Sequence, residues 1–459
     1  MEIPWPLDGM EVVVVGAART GVATSIFLAT RGARVTLVDS KPEITFPGLR
    51  GELAPLGVRL LFGPHDERDF LRADGIVLSP GVDPNLAALQ ASRRKGTPLV
   101  PEIELASWFL EVPILAITGT NGKTTCTTLL GMCLQAWGRR VFVGGNIGNP
   151  LINAVRASPP WEMAVVEVSS FQLEATERFR PKVAALLNLT EDHLDRHPTF
   201  DAYARAKGRV FRNQGAGDVA VVNLDDLEAV RLIPPSPRME VWGFTLMDGR
   251  PAQAARAAGG ISLWVGGETI KLEVRNDYLS APHGAQNLMA AALCAMAVGC
   301  PLKALREGTQ SFSGLEHRME TVGEINGVRF VNDSKATNVG AVLSALAACE
   351  GPVVLIAGGK DKGIDFTPLG EAVRTKARAV ILLGEAAGRI AAALGGEVPL
   401  YMVQGMEDAV HKALELARPG DTVLLSPACS SFDQYGDYTE RGRHFKEVFR
   451  TIAGTLASA

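Results

Sequence analysis

The stretch Ile114-Leu-Ala-Ile-Thr-Gly-Thr-Asn-Gly-Lys-Thr-Thr125 constrains this chain more than any other, because an apolar strand pattern runs straight into a glycine-rich turn and then into a helical pattern. Without side chains at Gly119 and Gly122, the backbone can wrap closely enough for its N–H groups to face an anion. Lys123 supplies positive charge, and the hydroxyl of Thr124 or Thr125 can reach a magnesium ion. A helix is expected from about Cys126, adding the positive end of its dipole. The spacing is a short variant of the phosphate loop, since the early glycine of G-x-x-x-x-G-K-T would fall at Ile117. The competing reading is a purely structural glycine turn.

The same strand-turn-helix grammar recurs on both sides. Val12 to Val15 ends in Gly16, a helical pattern follows, and Arg34-Val-Thr-Leu-Val-Asp39 closes a βαβ unit. Its turn carries Ala18 where a dinucleotide fingerprint has its middle glycine, and Asp39 ends the second strand. A nucleotide-type ligand and an empty Rossmann-like crevice both remain open there. Gly75-Ile-Val-Leu-Ser79 ends in a turn with Gly81, and the prolines at 98, 101 and 113 suggest a passage to the next domain. From Leu315 five further strand patterns alternate with helical ones, each ending in a polar or glycine turn. The 459 residues leave room for about three domains. The expected class is α/β: a Rossmann-like domain over 1–108, a central phosphate-loop domain over 109–313 and a C-terminal Rossmann-like domain over 314–459.

Composition excludes several functions. Hydrophobic residues make up 47% and charged residues 21%, an ordinary globular balance, and the net charge of −4 argues against a nucleic-acid or anionic-membrane binder. The six cysteines fall in no paired C-x-x-C arrangement, so neither a disulfide framework nor a zinc knuckle is expected. No run of about 18 apolar residues occurs, and the expectation is a soluble, cytoplasmic monomer.

Other residues stand out by context. Glu167 sits inside the apolar strand Met163-Ala-Val-Val-Glu167, where a carboxylate costs several kcal/mol unless it is paired or bound to metal. It is a magnesium candidate, with a core salt bridge as the alternative. Asn146, after a strand ending in Gly-Gly, could reach a ligand or cap its turn. Asn188-Leu-Thr-Glu-Asp-His-Leu-Asp195 ends a buried strand in acids and a histidine, and Lys207, taken alone, reads as a surface lysine. His283 and Asn287 open a helix of small residues. Lys335 and Lys362 would face one crevice, and such a cationic rim suits a carboxylate-bearing substrate.

Taken together with His317-Arg318, Asp333-Ser-Lys-Ala-Thr-Asn338 and Ser426-Pro-Ala-Cys-Ser-Ser-Phe-Asp-Gln434, these motifs make nearly the whole chain resemble the Mur ligases. The last two stretches point to the branch that adds D-glutamate to UDP-N-acetylmuramoyl-L-alanine. The alternative is another ligase of the Mur and folylpolyglutamate type with a different amino acid. The resemblance implies an ATP-dependent amide ligase of peptidoglycan synthesis, and hence of cell-wall growth, shape and division. In it Gly119, Thr120, Asn121, Gly122, Lys123, Thr124, Thr125, Asn287, Arg318 and Asp333 would meet ATP. Thr124, Glu167, His193 and Lys207 would stand by two magnesium ions, with Lys207 carbamylated and Lys123, His193 and Lys207 catalytic. Gly16, Thr20, Asp39, Ser40, Ser79, Gly81, Asn146 and His193 would meet the UDP-sugar. Lys335, Thr337, Lys362, Ser431, Phe432 and Tyr438 would surround D-glutamate. One departure is plain: the family's His-Asn-x-x-Asn run appears as His283-Gly284-Ala-Gln-Asn287. An ATP-driven switch without ligation and a Rossmann dehydrogenase are the rivals from other classes. The switch gives no reason for Glu167, His193 and Lys207 to coexist, and the dehydrogenase is weakened by Ala18 and by the second nucleotide loop.

Overall fold

The computed structural model describes residues 4–193, 196–235, 238–247, 249–274, 276–396 and 398–457. Three sheets organise it, and in each the β-branched runs are central strands because a parallel sheet covered on both faces buries every position. The first contains β1 (Glu11–Val15), β2 (Arg34–Asp39), β3 (Arg59–Phe62), β4 (Gly75–Leu78) and β5 (Leu99–Pro101), all parallel in the order β3-β2-β1-β4-β5. The expected passage from Pro98 to Pro113 is therefore structured. Its first part is β5, and its middle is a helix, Glu102–Phe109.

The second sheet has nine strands. They are β6 (Ile114–Thr118), β7 (Val141–Gly145), β8 (Met163–Glu167), β9 (Val183–Leu186), β10 (Val219–Asn223), β11 (Glu240–Thr245), β12 (Ala254–Ala257), β13 (Gly260–Val265) and β14 (Glu268–Glu273), in the order β14-β13-β12-β11-β10-β9-β6-β8-β7. Towards one edge, β11 and β12 extend the sheet in parallel, and only β13 and β14 reverse. The helix after the phosphate loop, Lys123–Ala136, begins three residues earlier than expected because Gly122 in the left-handed region serves as its N-cap. Helix Leu302–Gln310 packs on it so closely that a Cβ on Gly308 would lie 2.5 Å from Cys133 Cα.

The third sheet comprises β15 (Glu320–Ile325), β16 (Val328–Asn332), β17 (Val353–Gly358), β18 (Ala377–Leu383), β19 (Leu400–Met402) and β20 (Thr422–Leu425), in the order β15-β16-β20-β17-β18-β19. The five expected parallel strands are present. The sixth, β15, forms an antiparallel hairpin with β16. By contacts the chain forms two compact units: residues 1–189, 204–274 and 286–311, which hold the first two sheets, and residues 190–203, 275–285 and 312–459, which hold the third. All six cysteines are free and buried. Among the described residues no helix is long and apolar enough to cross a membrane.

Within the first unit, helix Glu102–Phe109 is fastened by two buried carboxylates. Glu104 accepts the backbone N–H groups of Arg178 at 2.7 Å, Phe179 at 2.8 Å and Glu177 at 3.2 Å, besides the Trp108 indole at 3.1 Å. Glu102 accepts one, from Ile152 at 2.7 Å, and burial pushes its carboxyl up to about 7. The folded chain thus holds this proton more tightly than the unfolded chain does. Stability from Glu102 is present below its ordinary value of 4.5 and is lost as pH rises through about 7. Glu102→Gln should remove roughly 2 to 3 kcal/mol of the fall in unfolding free energy between about pH 5 and 8, measured by urea unfolding. An unchanged fall would show that Glu102 is ionised in the folded chain.

Candidate functional site

At the carboxyl edge of the second sheet, β6 lies between β9 and β8, so the turn that follows it is flanked by the ends of both neighbours. Gly119 has φ +148 and Gly122 φ +83, conformations that L side chains rarely adopt. A Cβ on Gly122 would also lie 2.1 Å from Asn287 Oδ1, so the asparagine reaches the loop. Asn287 does so from inside helix Pro282–Ala297, more than a turn beyond its first residue, not from the helix start expected for it. The loop's shape is set by Asn188. Its carbonyl accepts the Thr120 N–H at 2.9 Å, its Oδ1 accepts the Asn121 N–H at 2.8 Å, and its Nδ2 donates to Asn121 O at 3.2 Å. Lys123 Nζ donates to the carbonyls of Gly119 at 2.9 Å and Thr120 at 2.7 Å, folded over the loop whose N–H groups would face a phosphate.

Two charged groups are buried at this edge. Lys207 is 2% exposed, with Nζ donating to Gly119 O at 2.8 Å, which overturns its reading as a surface lysine. Glu167, also 2% exposed, accepts from Asn146 Nδ2 at 2.9 Å through Oε1, while its buried Oε2 receives no hydrogen bond. The core salt bridge considered for Glu167 is not what the structure shows. A buried carboxylate oxygen without a donor is costly, and a cation is the natural compensation. Among the described residues no group of three or more His, Cys, Asp or Glu side chains gathers as a metal site. One buried carboxylate on the strand beside a phosphate loop is a setting in which magnesium can complete its shell with phosphate and water. The residues present therefore fit a nucleoside triphosphate with its metal.

The first sheet offers a crevice where β1 and β4 diverge in connection. Gly16 has φ +97, and a Cβ on Gly21 would lie 1.7 Å from Gly16 O, so the turn needs both glycines. Ser79 Oγ donates to Gly16 O at 3.2 Å. Asp39 is turned onto the backbone, accepting the N–H groups of Ala17 at 2.8 Å and Lys41 at 2.9 Å, so it shapes the turn. Thr20 is half-buried, whereas Ser40 and Gly81 are exposed.

In the second unit, His193 takes φ +55 beside Asp192, whose Oδ1 accepts the His193 N–H at 2.9 Å. Leu194 and Asp195 lie outside the described residues. Gly284 packs under Tyr278, where a Cβ would sit 1.9 Å from the Tyr278 carbonyl, so the departure from asparagine is sterically required by this backbone. Asp333 ends β16 in a buried position, accepting from Ser426 Oγ at 3.0 Å and Met319 N at 3.2 Å; burial pushes its carboxyl up to about 7. Lys335 Nζ donates to Tyr438 OH at 3.0 Å and lies 4.5 Å from the centre of its ring. Ser431 is buried, Thr337 and Lys362 are half-buried, and Phe432 is 69% exposed. The turns after β16 and β20 are tied by Arg441, a residue that no sequence motif singles out. Its guanidinium donates to Ser334 O at 2.8 Å and Cys429 O at 3.0 Å, and burial brings it down to about 10. The structure thus gathers Lys123, Thr124, Asn146, Glu167, Lys207 and Asn287 in the first unit, and His193, Arg318, Asp333, Lys335 and Tyr438 in the second.

Family models match along the chain: a Mur ligase MurD-like N-terminal domain over residues 10–101, a Mur ligase middle domain over 117–295, and a Mur ligase glutamate ligase domain over 317–429. The chain is 46% identical over 448 residues to a UDP-N-acetylmuramoylalanine--D-glutamate ligase of Geobacter metallireducens, covering 97% of this chain and 98% of the relative. A protein of the same name from Desulfosudis oleivorans is 45% identical over 452 residues, covering 98% of each. Among solved structures, a pseudomurein peptide ligase type C from Methanothermus fervidus superposes with a TM-score of 0.62 at 18% identity, covering 97% of this chain and all of that one. MurF from Thermotoga maritima in complex with ADP gives 0.58 at 16%, covering 97% and 95%; both share the fold.

Asn188→Leu leaves the loop's N–H and C=O groups without their clip and should weaken ADP binding about tenfold, read by calorimetric titration. Unchanged affinity would mean that the loop holds its shape without Asn188.

Proposed function

The chain belongs to the Mur ligase family, and on that premise we propose that it is an ATP-dependent amide ligase joining D-glutamate to UDP-N-acetylmuramoyl-L-alanine in peptidoglycan synthesis. The observation that carries the proposal is end-to-end similarity, at 42–46% identity, to ligases named for that reaction. The domain roles follow the three sheets: residues 1–108 for the UDP-sugar, 109–313 for ATP, and 314–459 for the amino acid. The substrates place the reaction in the cytoplasm.

A carboxylate and an amine do not condense in water without activation. The L-alanyl carboxylate oxygen attacks the γ-phosphorus, the bond to the ADP oxygen breaks, and an acyl phosphate forms. The D-glutamate amine then attacks the acyl carbon, the tetrahedral adduct collapses, and inorganic phosphate leaves carrying the carboxylate oxygen. Lys123, the N–H groups of Gly119–Thr125 and the positive end of helix Lys123–Ala136 bind the β- and γ-phosphates and oppose their charge. Asn287, Arg318 and Asp333 complete the nucleotide contacts. Glu167, with Thr124, His193 and Lys207, would hold magnesium, which supplies charge neutralisation at the phosphates. On this reading Lys207 is carbamylated, exchanging a buried cation for a group that accepts at two oxygens. Lys335, Thr337, Lys362, Ser431, Phe432 and Tyr438 orient D-glutamate. Gly16, Thr20, Asp39, Ser40, Ser79, Gly81 and Asn146 receive the UDP-sugar. Most of the acceleration is positional, an effect able to lower a barrier by about 7 to 11 kcal/mol.

With UDP-N-acetylmuramoyl-L-alanine and ATP present, phosphate release should depend on D-glutamate and not on L-glutamate, L-alanine or diamino acids. Release driven equally by another amino acid would reassign the substrate, and release without any amino acid would sink ligation. Lys207→Ala should lose activity and regain part of it with small added carboxylates. No rescue at all would favour an uncarbamylated lysine.

A further inference from the structure

Glu320 of β15 and Asn332 of β16 stand opposite each other in the antiparallel ladder, and a buried polar cluster gathers around them that the steps above leave unused. Asn332 is fully buried, at 0% exposure. Its Nδ2 lies 2.9 Å from His317 Nδ1 and donates to Glu320 Oε2 at 3.0 Å and Gly442 O at 3.3 Å; its Oδ1 accepts the Ser334 N–H at 3.2 Å. Glu320 Oε2 also accepts the His317 N–H at 2.9 Å, while its Oε1 accepts from Lys446 Nζ at 2.8 Å. The His317 carbonyl in turn accepts the Lys335 N–H at 3.1 Å.

Three pieces of chain meet here: the segment with His317 and Arg318, the turn with Lys335, and the C-terminal helix Tyr438–Ala457. Two further observations show that the meeting is specified. His317 has φ +62 and Met319 φ +44, so Arg318 is flanked by left-handed non-glycine residues that cost about 1 kcal/mol or more each and persist only where their surroundings over-determine them. The helix approaches so closely that a Cβ on Gly442 would lie 2.2 Å from His317 Nδ1. Only a side chain with both an N–H donor and an oxygen acceptor can serve the imidazole, the carboxylate and the Ser334 N–H together.

We infer that Asn332, paired with Glu320, is a positioning residue that sets Arg318 on the nucleotide side and Lys335 on the amino-acid side in one register. The inference rests on the roles given above to Arg318 and Lys335. Disturbing the pair therefore moves both substrates' sites at once, leaving the UDP-sugar site alone.

Steady-state kinetics of the full-length enzyme test this with Asn332→Asp, which loses the amide donors beside Glu320, and with Gly442→Ala, which removes no hydrogen-bonding group and presses on the His317 ring. In each, KM for ATP and for D-glutamate should rise together, about tenfold, with KM for the UDP-linked substrate unchanged. Should Asn332→Asp fail to fold, Gly442→Ala decides the matter. Lower kcat with all three KM values unchanged is what a merely structural role gives, and it would overturn the inference. Arg318→Ala and Lys335→Ala serve as controls, each raising KM for its own substrate. If they do not, the underlying assignment has failed; if they do while both Asn332→Asp and Gly442→Ala leave KM untouched, the inference alone falls.

Discussion

The carboxyl edge of the second sheet is organised around the carbonyl of Gly119. It follows directly on β6, accepts from both Lys123 and Lys207, and does so in a backbone conformation that side chains disfavour. One loop oxygen thus faces two ammonium groups, one of them almost wholly withdrawn from water. On the neighbouring strand, Glu167 brings a buried carboxylate oxygen without a donor to the same edge. An anionic ligand with a bound cation would answer both the N–H groups of the loop and that oxygen, which is why this edge reads as a site that its substrate completes.

The other two sheets repeat the arrangement with different chemistry. In each, chains diverge at the carboxyl edge and leave a crevice. The first fills that crevice with hydrogen bonds among its own turns, with Asp39 and Ser79 both holding the Gly16 turn. The third lines it with buried polar groups: Asp333 against Ser426, Arg441 across two turns, and the Asn332–Glu320 pair beneath them. Rigid support of this kind holds the half-buried Lys335 against Tyr438.

Much of this was legible in the sequence because a continuous apolar run ending in a glycine or polar turn can be little but a buried parallel strand in an α/β chain. The runs at Val12–Val15, Ile114–Thr118 and Val353–Gly358 became central parallel strands. β15 lacks that signature because Glu320-Thr-Val-Gly-Glu-Ile325 carries two acids and a glycine, and it pairs only at an edge. Helix Pro282–Ala297 starts earlier than its small-residue run implied because Pro282 suits a first turn. The roles of Asn188, Arg441 and Asn332 were hidden for a different reason. Each bonds across long stretches of chain, 67 residues for Asn188 with Asn121 and 107 for Arg441 with Ser334, and no local pattern announces such a partner. Lys207 reads as solvated on its helix, and only the fold puts it beneath the loop.

The central claim is that the loop after β6 drives transfer of phosphate onto the substrate's carboxylate before the amide forms. The most direct measurement supplies UDP-N-acetylmuramoyl-L-alanine with oxygen-18 in the alanyl carboxylate, together with ATP and D-glutamate, and reads the label in the phosphate released. The account predicts one labelled oxygen in each inorganic phosphate. Phosphate free of label, formed alongside normal yields of the amide, would contradict it.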